Sequence, residues 1–207
     1  MNEKILIIDN QYFPCINLIK KSIKFSHVKI ESCDTFQKNS FRNRCVIAGS
    51  NGLINLSVPV EKGRDQKTPY REVKISQEKW QIQHWRTIVS CYQRAPFFEY
   101  YSNDIKQLIF SNVNYLFEIN FNILLYINKL LKNKIQIEQT DDFIFSYDNS
   151  QFEDARNTWK PTNFQQGEGV RYFQVFEDRI GFQPNLSILD LLFCEGPNAL
   201  HLLSNSE

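Results

Sequence analysis

Hydrophobic and polar positions near the start of the chain predict a strand, a helix and a second strand. The apolar run between Lys4 and Asp9 is typical of a buried strand. Pro14 suits the first turn of a helix that extends to about Lys24 with apolar residues at helical spacing. The alternation from His27 to Glu31 indicates a short strand. Parallel pairing of the two strands would complete a β-α-β unit.

The clearest reversal in the sequence is a hairpin. Its strands are predicted from Phe41 to Ala48 and from Leu53 to Val60, on either side of Gly49-Ser50-Asn51-Gly52. Asn and Gly tolerate the positive φ angles that such a tight turn requires. Residues 61–70 are charged and lack an apolar period, which indicates an exposed loop. One more short strand is expected from Glu72 to Ile75.

The middle of the chain has the period of helices. Apolar residues recur at helical spacing between Gln77 and Arg94, and Ala95-Pro96 ends this predicted helix. Similar patterns after Tyr101 and after Leu116 predict a second and a third helix. The middle third is therefore expected to be helical.

The last third is predicted to contain two strands and a capped helix. The strands are expected at residues 143–147 and 171–176, where β-branched and aromatic side chains are frequent. Ser187 followed three residues later by Asp190 matches a capping box, and Gly196-Pro197 is a typical helix stop. The chain as a whole is thus predicted to be one α/β domain over residues 1–207. We expect a mixed central sheet with a β-α-β start, a β-hairpin, a helical middle section and a capped C-terminal helix.

Composition supports a folded protein and reveals an uneven charge. Hydrophobic residues make up 42% of the 207 residues and aromatic residues 14%, which excludes a disordered or collagen-like chain. The net charge of +1 results from opposite net charges in the two halves of the chain. Residues 1–103 hold 16 basic and 9 acidic side chains, whereas residues 104–207 hold 8 and 14. The basic N-terminal half is therefore the better candidate for contacts with anions.

The sequence favours a cytoplasmic protein. We expect no export signal, because the apolar run at the N-terminus is too short. The apolar stretch 119–131 is interrupted by Asn and Lys residues, so no membrane span is expected. Five scattered cysteines without a C-x-x-C pair indicate reduced thiols rather than a disulfide framework or a zinc site, and no metal site is predicted.

Few residues are candidates for acid-base chemistry, since the common nucleotide-binding, hydrolase and metalloprotease motifs are absent. His84 borders the apolar stripe of its helix, where an imidazole can transfer protons near neutral pH. The alternative is a histidine that is hydrogen-bonded for structural reasons. Asp190 is explained most simply by the capping box. Glu195 is a carboxylate in the last helical turn, where the helix dipole disfavours it, and so is a further candidate.

Two arginines are candidates for binding an anion. If Arg42, Asn43 and Arg44 lie in a strand, both guanidinium groups project from one face while Asn43 points away. Paired guanidinium groups bind phosphate or carboxylate well. The alternative is a solvated face with ion pairs to the acidic half. The sequence does not favour nucleic-acid binding, because basic residues are not interleaved with aromatic residues.

Several segments together resemble a known family. In chain order they are Gln11-Tyr12-Phe13-Pro14, Phe41-Arg42-Asn43-Arg44-Cys45, Leu56-Ser57-Val58-Pro59-Val60, Trp80 to Phe98 with His84-Trp85 and Ala95-Pro96, and Asn185 to Pro197. These segments resemble the WbqC-like family of bacterial proteins. Some members lie in gene clusters for O-antigen or other surface polysaccharides, and transfer of glycine or aminoacyl groups onto sugars has been suggested for them. The resemblance therefore implies a transferase.

Three functional hypotheses follow. The first is a cytoplasmic transferase acting on an activated, nucleotide-linked small molecule, with His84 as the general base. Its other candidates are Asp190 and Glu195 for catalysis, Arg42 and Arg44 for phosphate, and Gln11, Tyr12, Asn43, Tyr92 and Ser187 for orienting the substrate. The second is nucleotidyl transfer, since a strand, loop and helix followed by a late Ser-capped helix are similar to HIGH-type nucleotidyltransferases. The third is a non-catalytic binding module. The cofactor and the oligomeric state stay open.

Overall fold

The computed structural model describes residues 2–61, 68–167 and 169–205. The predicted β-α-β start is confirmed by β1 (Asn2–Ile8), α1 (Ile16–Ser22) and β2 (Phe25–Ile30). β1 and β2 pair in parallel. The expected loop at 61–70 falls largely outside the described residues. The predicted α/β class is confirmed.

Two further strands complete a four-stranded sheet. β5 (Gln136–Gln139) pairs in parallel with β2, and β6 (Phe152–Asp154) pairs in parallel with β1, which gives the order β5-β2-β1-β6. The sequence did not predict either strand. Both are short edge strands with mostly polar or half-exposed side chains, so neither has an apolar run.

The predicted hairpin is confirmed, but it begins later than expected. β3 (Arg44–Gly49) and β4 (Gly52–Ser57) form a separate antiparallel sheet. Phe41–Asn43 is a 3-10 turn whose first residue follows Ser40, and the Ser40 hydroxyl accepts the Arg42 N–H. The prediction that Arg42 and Arg44 lie on one face of a strand is therefore wrong.

The helical middle is confirmed by α2 (Trp80–Tyr92), α3 (Phe98–Ile109) and α4 (Leu116–Leu130). The strand expected from Glu72 to Ile75 is wrong. A 3-10 turn occupies Tyr70–Glu72, and only isolated bridges join Lys74 and Ile75 to distant residues.

The last third differs most from prediction. No strand forms at 143–147 or 171–176. The chain instead continues through α5 (Glu177–Ile180), α6 (Ile188–Glu195) and α7 (Ala199–Asn205), of which the sequence indicated only α6. These segments are tied to the rest of the fold by side-chain hydrogen bonds rather than by a sheet ladder.

The predicted cap of α6 is confirmed in part. The Ser187 hydroxyl accepts the Leu189 N–H, and α6 ends at Gly196 with a φ of 54°. The reciprocal bond of a capping box is not formed, because the Asp190 carboxylate accepts two tyrosine hydroxyls in the core instead. α6 is buried on every side from Ile188 to Cys194, and it anchors the main hydrophobic core. None of the helices in the described ranges has the length and apolarity to cross a bilayer.

Candidate functional site at the carboxyl edge of the parallel sheet

The four parallel strands end at one edge of the sheet, which we call the carboxyl edge. Asp9, Glu31 and Thr140 follow directly after β1, β2 and β5, and Asn157 follows β6 by three residues. In open α/β sheets, ligands bind outside the carboxyl ends of the strands where the strand order reverses. Here the chain runs outward from β1 through β2 to β5, and then returns to place β6 on the other side of β1. The reversal therefore falls between β1 and β6.

Asp9 bridges this reversal point. Its Oδ2 accepts the backbone N–H of Asn157 at 2.6 Å, and its Oδ1 accepts Arg42 Nη2 at 3.2 Å. The same Nη2 donates to Asp34 Oδ2 at 2.7 Å, and Nη1 donates to the Thr35 carbonyl at 2.7 Å. The loops after β1, β2 and β6 are thereby joined by two carboxylates and one guanidinium.

Arg42 is only 1% exposed, although it was predicted to bind phosphate. Burial alone would lower its pKa, but Asp9 and Asp34 raise the pKa above its ordinary value, so the side chain is positively charged. Its guanidinium also lies 4.9 Å from the centre of the Tyr70 ring. Because both terminal nitrogens are bound to protein oxygens, Arg42 is placed to hold the edge together.

Asparagines carry this polar cluster into the core. Asn120 Nδ2 donates to the Arg42 carbonyl at 2.6 Å and lies 2.8 Å from the Tyr70 hydroxyl, while Asn10 Nδ2 donates to the Phe117 carbonyl at 2.9 Å. The buried Oδ1 atoms of Asn10 and Asn120 have no hydrogen-bond partner, and neither does the buried Nε of Arg42. The interior behind the reversal point therefore holds unpaired polar groups, which native cores rarely retain.

A second ion-pair group fixes the ends of β2 and β6. Arg156 Nη1 donates to Glu31 Oε2 at 2.8 Å, and Nε donates to Asp154 Oδ1 at 3.0 Å. Glu31 is fully buried, and its other oxygen accepts the Thr140 hydroxyl at 3.1 Å. The Arg156 guanidinium also lies 4.9 Å from the centre of the Tyr147 ring. This arrangement links the ends of β2, β5 and β6.

Arg71 differs from the other two arginines of the carboxyl edge. It is exposed, and its Nε donates to the Ser32 hydroxyl at 2.9 Å while Nη2 donates to the Thr140 carbonyl. Within the described residues these partners are neutral oxygens, and no carboxylate forms an ion pair with Arg71. Its charge is thus available to an anion at the edge.

His84 lies in the interior with both ring nitrogens engaged. The side chain is 5% exposed, Nε2 lies 3.2 Å from the Ser57 carbonyl, and Nδ1 lies 3.0 Å from the Tyr12 hydroxyl. Since a carbonyl only accepts, Nε2 donates to it, and Nδ1 accepts from Tyr12. Burial lowers the pKa of His84 to about 4, so the imidazole is neutral at pH 7. A neutral histidine with two fixed bonds fits the structural alternative.

Asp190 forms another buried group. Its carboxylate accepts Tyr92 at 2.5 Å and Tyr172 at 2.8 Å, and burial raises its pKa to about 6. The Tyr92 hydroxyl also accepts the Ala48 N–H at 3.3 Å. Glu195 is bound separately, with Oε1 accepting the Phe173 N–H at 3.1 Å. These contacts tie α6 to α2, β3 and the segment before α5.

The remaining predicted residues make local contacts. Gln11 Oε1 accepts the Cys15 N–H at 3.1 Å, Asn43 Nδ2 donates to the Val58 carbonyl at 3.0 Å, and the Ser187 hydroxyl donates to the Phe13 carbonyl at 2.9 Å. Arg44 is half-buried, and its Nε has no hydrogen-bond partner. The candidates thus occupy several places: Arg42 at the carboxyl edge, Tyr12 with His84 inside, and Tyr92 with Asp190 around α6.

Sequence reasoning missed most of the carboxyl edge. Asp9 and Glu31 come directly after predicted strands, and that position alone could have indicated them. Arg71 lies in a 3-10 turn where the sequence predicted neither helix nor strand, and Arg156 follows β6, which the sequence did not predict, so no comparable signal existed. Among the described residues, no group of three or more His, Cys, Asp or Glu side chains is arranged to hold a metal ion.

The sheet and the helices packed on it define an α/β protein, with a candidate site where the strand order reverses. The model of the WbqC-like protein family matches residues 10–157. The chain belongs to this family. The matched region begins directly after Asp9 and ends at Asn157, the two residues that bond across the reversal point. No curated protein and no solved structure matches the chain.

Proposed function

We propose that the protein is a transferase that binds an activated, nucleotide-linked substrate at the carboxyl edge. The reversal of strand order between β1 and β6 is the observation that carries this proposal, because it is where open α/β sheets bind ligands. The transferred group is a glycyl, aminoacyl or acyl group and the acceptor is a sugar, as suggested for family members in surface-polysaccharide gene clusters. The protein would then act in O-antigen or related biosynthesis in the cytoplasm of a bacterium.

Arg71 is the phosphate ligand in this proposal. It is the exposed arginine of the edge, and its hydrogen bonds to Ser32 and Thr140 hold the guanidinium in place. A pre-positioned guanidinium binds phosphate with little loss of side-chain freedom. Arg42 and Arg156 position the loops around the ligand, since carboxylates already engage their terminal nitrogens.

His84 has a positioning role in the proposal. For His84 to accept a proton from a substrate, it would have to give up its bond to Tyr12. Tyr12 is itself fully buried, and its N–H donates to the Phe41 carbonyl beside Arg42. His84 therefore positions the loop that runs from β1 into α1.

A thermal-shift screen tests the proposal. Nucleotides with and without magnesium, nucleotide sugars and acyl-coenzyme A are added to the full chain. A ligand at 100 times its Kd stabilises a protein by about 2.7 kcal/mol, which for this size raises Tm by roughly 5–10 °C. We expect such a shift from nucleotide sugars or acyl-coenzyme A. A shift from nucleoside triphosphates alone, only with magnesium, would instead favour nucleotidyl transfer.

Arg71→Ala is the matched variant, with Arg94→Ala as its control because Arg94 is an exposed arginine two residues beyond the end of α2. We expect Arg71→Ala to weaken ligand binding by at least about tenfold, as for loss of a hydrogen bond to a charged group, and Arg94→Ala to leave it unchanged. Equal binding by both variants would remove Arg71 from the site.

A non-catalytic binding module is the second candidate. It is favoured by one observation: His84 and Asp190, the predicted acid-base residues, are both buried and hydrogen-bonded. Ligand binding without turnover of any nucleotide-linked substrate would support the hypothesis of a binding module. Absence of binding across all ligand classes would contradict the hypothesis of a transferase.

A further inference from the structure

A loop at the carboxyl edge exposes consecutive apolar side chains. Residues 141–148, which we call the apolar loop, connect β5 to β6 and contain Phe143, Ile144 and Phe145. All three are exposed, and Phe145 is 90% exposed. Runs of exposed apolar residues in a folded protein mark interaction surfaces. The apolar loop therefore has the character of a contact surface.

Arg156 holds this loop in a defined shape. Its Nη2 donates to the Phe145 carbonyl at 3.4 Å, and its guanidinium lies 5.5 Å from the centre of the Phe143 ring. Since Arg156 is itself fixed by Glu31 and Asp154, the loop is anchored to the carboxyl edge. A surface that is already ordered loses little entropy when it binds.

A groove lies beyond the opposite end of β5. It encloses about 440 Å³ between α3, α4 and the turn that precedes α7. We call it the tyrosine groove, and the residues that line it include Tyr100, Tyr101, Tyr126, Lys129, Lys132 and Pro197. Tyr100 is 77% exposed, and the rings of Tyr100 and Tyr101 meet edge to face at 4.8 Å. Aromatic walls of this kind accept an apolar side chain.

The apolar loop and the tyrosine groove carry opposite charges. Within the apolar loop, Asp141, Asp142 and Asp148 lie on either side of the three apolar residues and are exposed. Lys129 and Lys132 line the groove and are exposed as well. The one carboxylate among the residues that line the groove, Asp104, accepts the Tyr126 hydroxyl at 3.0 Å. An apolar centre with complementary charges around it is the usual composition of a protein–protein interface.

The two surfaces cannot meet within one molecule. Lys132 precedes β5 and Asp141 follows it, and four residues of strand span roughly 13 Å. The loop is also tied to the carboxyl edge by Arg156. We propose that the apolar loop of one copy of this chain binds in the tyrosine groove of a second copy, with Phe145 packed against the exposed ring of Tyr100.

Sedimentation velocity over a concentration series tests self-association of the full chain. Interfaces below about 1,200 Å² in total are usually weak and transient, so the series extends from micromolar to submillimolar protein. Phe145→Asp removes the ring that packs against Tyr100, and Tyr100→Asp alters the groove. Both side chains are exposed, so both variants are expected to fold. Phe110→Asp is the control, because Phe110 is an exposed ring in a different surface hollow.

We expect the wild type to associate and each of the first two variants to weaken association by about 30-fold or more, the change typical of an aromatic hot spot. Phe110→Asp should associate like the wild type. The mixture of the two variants is decisive. Phe145→Asp keeps an intact groove and Tyr100→Asp keeps an intact loop, so together they should form a complex of two chains although neither associates alone.

Three outcomes would overturn the proposal. A wild type that stays monomeric over the whole series shows that the surfaces do not pair. Self-association of Tyr100→Asp at the wild-type level shows that the groove is not the partner surface, as in a loop-to-loop contact. A mixture that stays monomeric shows that the loop and the groove do not bind each other. None of these outcomes bears on ligand binding at the carboxyl edge.

Discussion

The neutral, buried state of His84 gives the chain a specific dependence of stability on pH. Its pKa is 6.5 in an unfolded chain and about 4 in the fold, because burial disfavours the charged ring. Above pH 6.5 the histidine is neutral in both states and does not lower the free energy of unfolding. As the pH falls from 6.5 towards 4, only the unfolded chain takes up the proton, so the free energy of unfolding decreases. Since one pKa unit corresponds to about 1.4 kcal/mol, the loss over this range is about 3 kcal/mol.

The wild type alone does not reveal this loss, because Asp190 has the opposite dependence. Its pKa is raised by burial to about 6, so the stability that it contributes is present below pH 3.8 and is lost as the pH rises towards 6. A comparison with His84→Gln isolates the histidine. Glutamine can donate to the Ser57 carbonyl and accept from Tyr12, but it does not titrate.

The assay is urea unfolding of both proteins at pH 7.5, 5.5 and 4. We expect the wild type to lose about 3 kcal/mol more than His84→Gln between pH 7.5 and pH 4, and close to half of that by pH 5.5. His201→Gln, a change at an exposed histidine on α7, is the control and should follow the wild type. Parallel pH profiles for the wild type and His84→Gln would refute the buried, neutral imidazole.

Three further substitutions test other parts of the fold by urea unfolding. The free energy of unfolding of Asp190→Asn should rise by about 2.4 kcal/mol relative to the wild type between pH 4 and pH 7, because the amide does not ionise. A constant difference would contradict the raised pKa. Arg42→Met leaves the Asp9 carboxylate without its guanidinium and should lower the free energy of unfolding at pH 7 by about 3–5 kcal/mol. A decrease below about 1 kcal/mol would show that the ion pair is solvated. Gly196→Ala should lower the free energy of unfolding by more than about 1 kcal/mol, since the φ of 54° disfavours a side chain and the new Cβ would lie 2.4 Å from the Phe97 ring. An unchanged midpoint of urea unfolding would argue against this contact.

Local signals account for the parts of the fold that the sequence predicts well. The Gly49-Ser50-Asn51-Gly52 turn and the apolar period of α2 depend on neighbours within a few residues, and both are confirmed. β5 and β6 have no such signal, because they exist only as parallel partners of β2 and β1. The residues at 143–145 gave a false signal, since their aromatic composition is typical of strands and they are exposed in a loop instead.

The site was harder to predict than the fold for a related reason. Asp9 and Asn157 are bonded to each other, yet Asp9 directly precedes the region matched by the family and Asn157 is its last residue. The position of His84 at the edge of an apolar stripe was predicted, but its burial comes from contacts with Tyr12 and Ser57, far away in the sequence. Arg42 was assigned to the wrong geometry because one hydroxyl, that of Ser40, favours a 3-10 turn over the start of a strand.

The order of strands in the sheet also constrains how the chain can fold during synthesis. β1 leaves the ribosome first, yet one of its two neighbours is β6, in which Phe152 pairs with Ile5. Until that segment has been made, one side of β1 keeps free backbone groups, a ready template for pairing with another chain. The core closes later still, because α6 packs at its centre and follows β6 by more than thirty residues. Such distant contacts make folding slow, so the nascent chain exposes apolar surface until α6 has emerged.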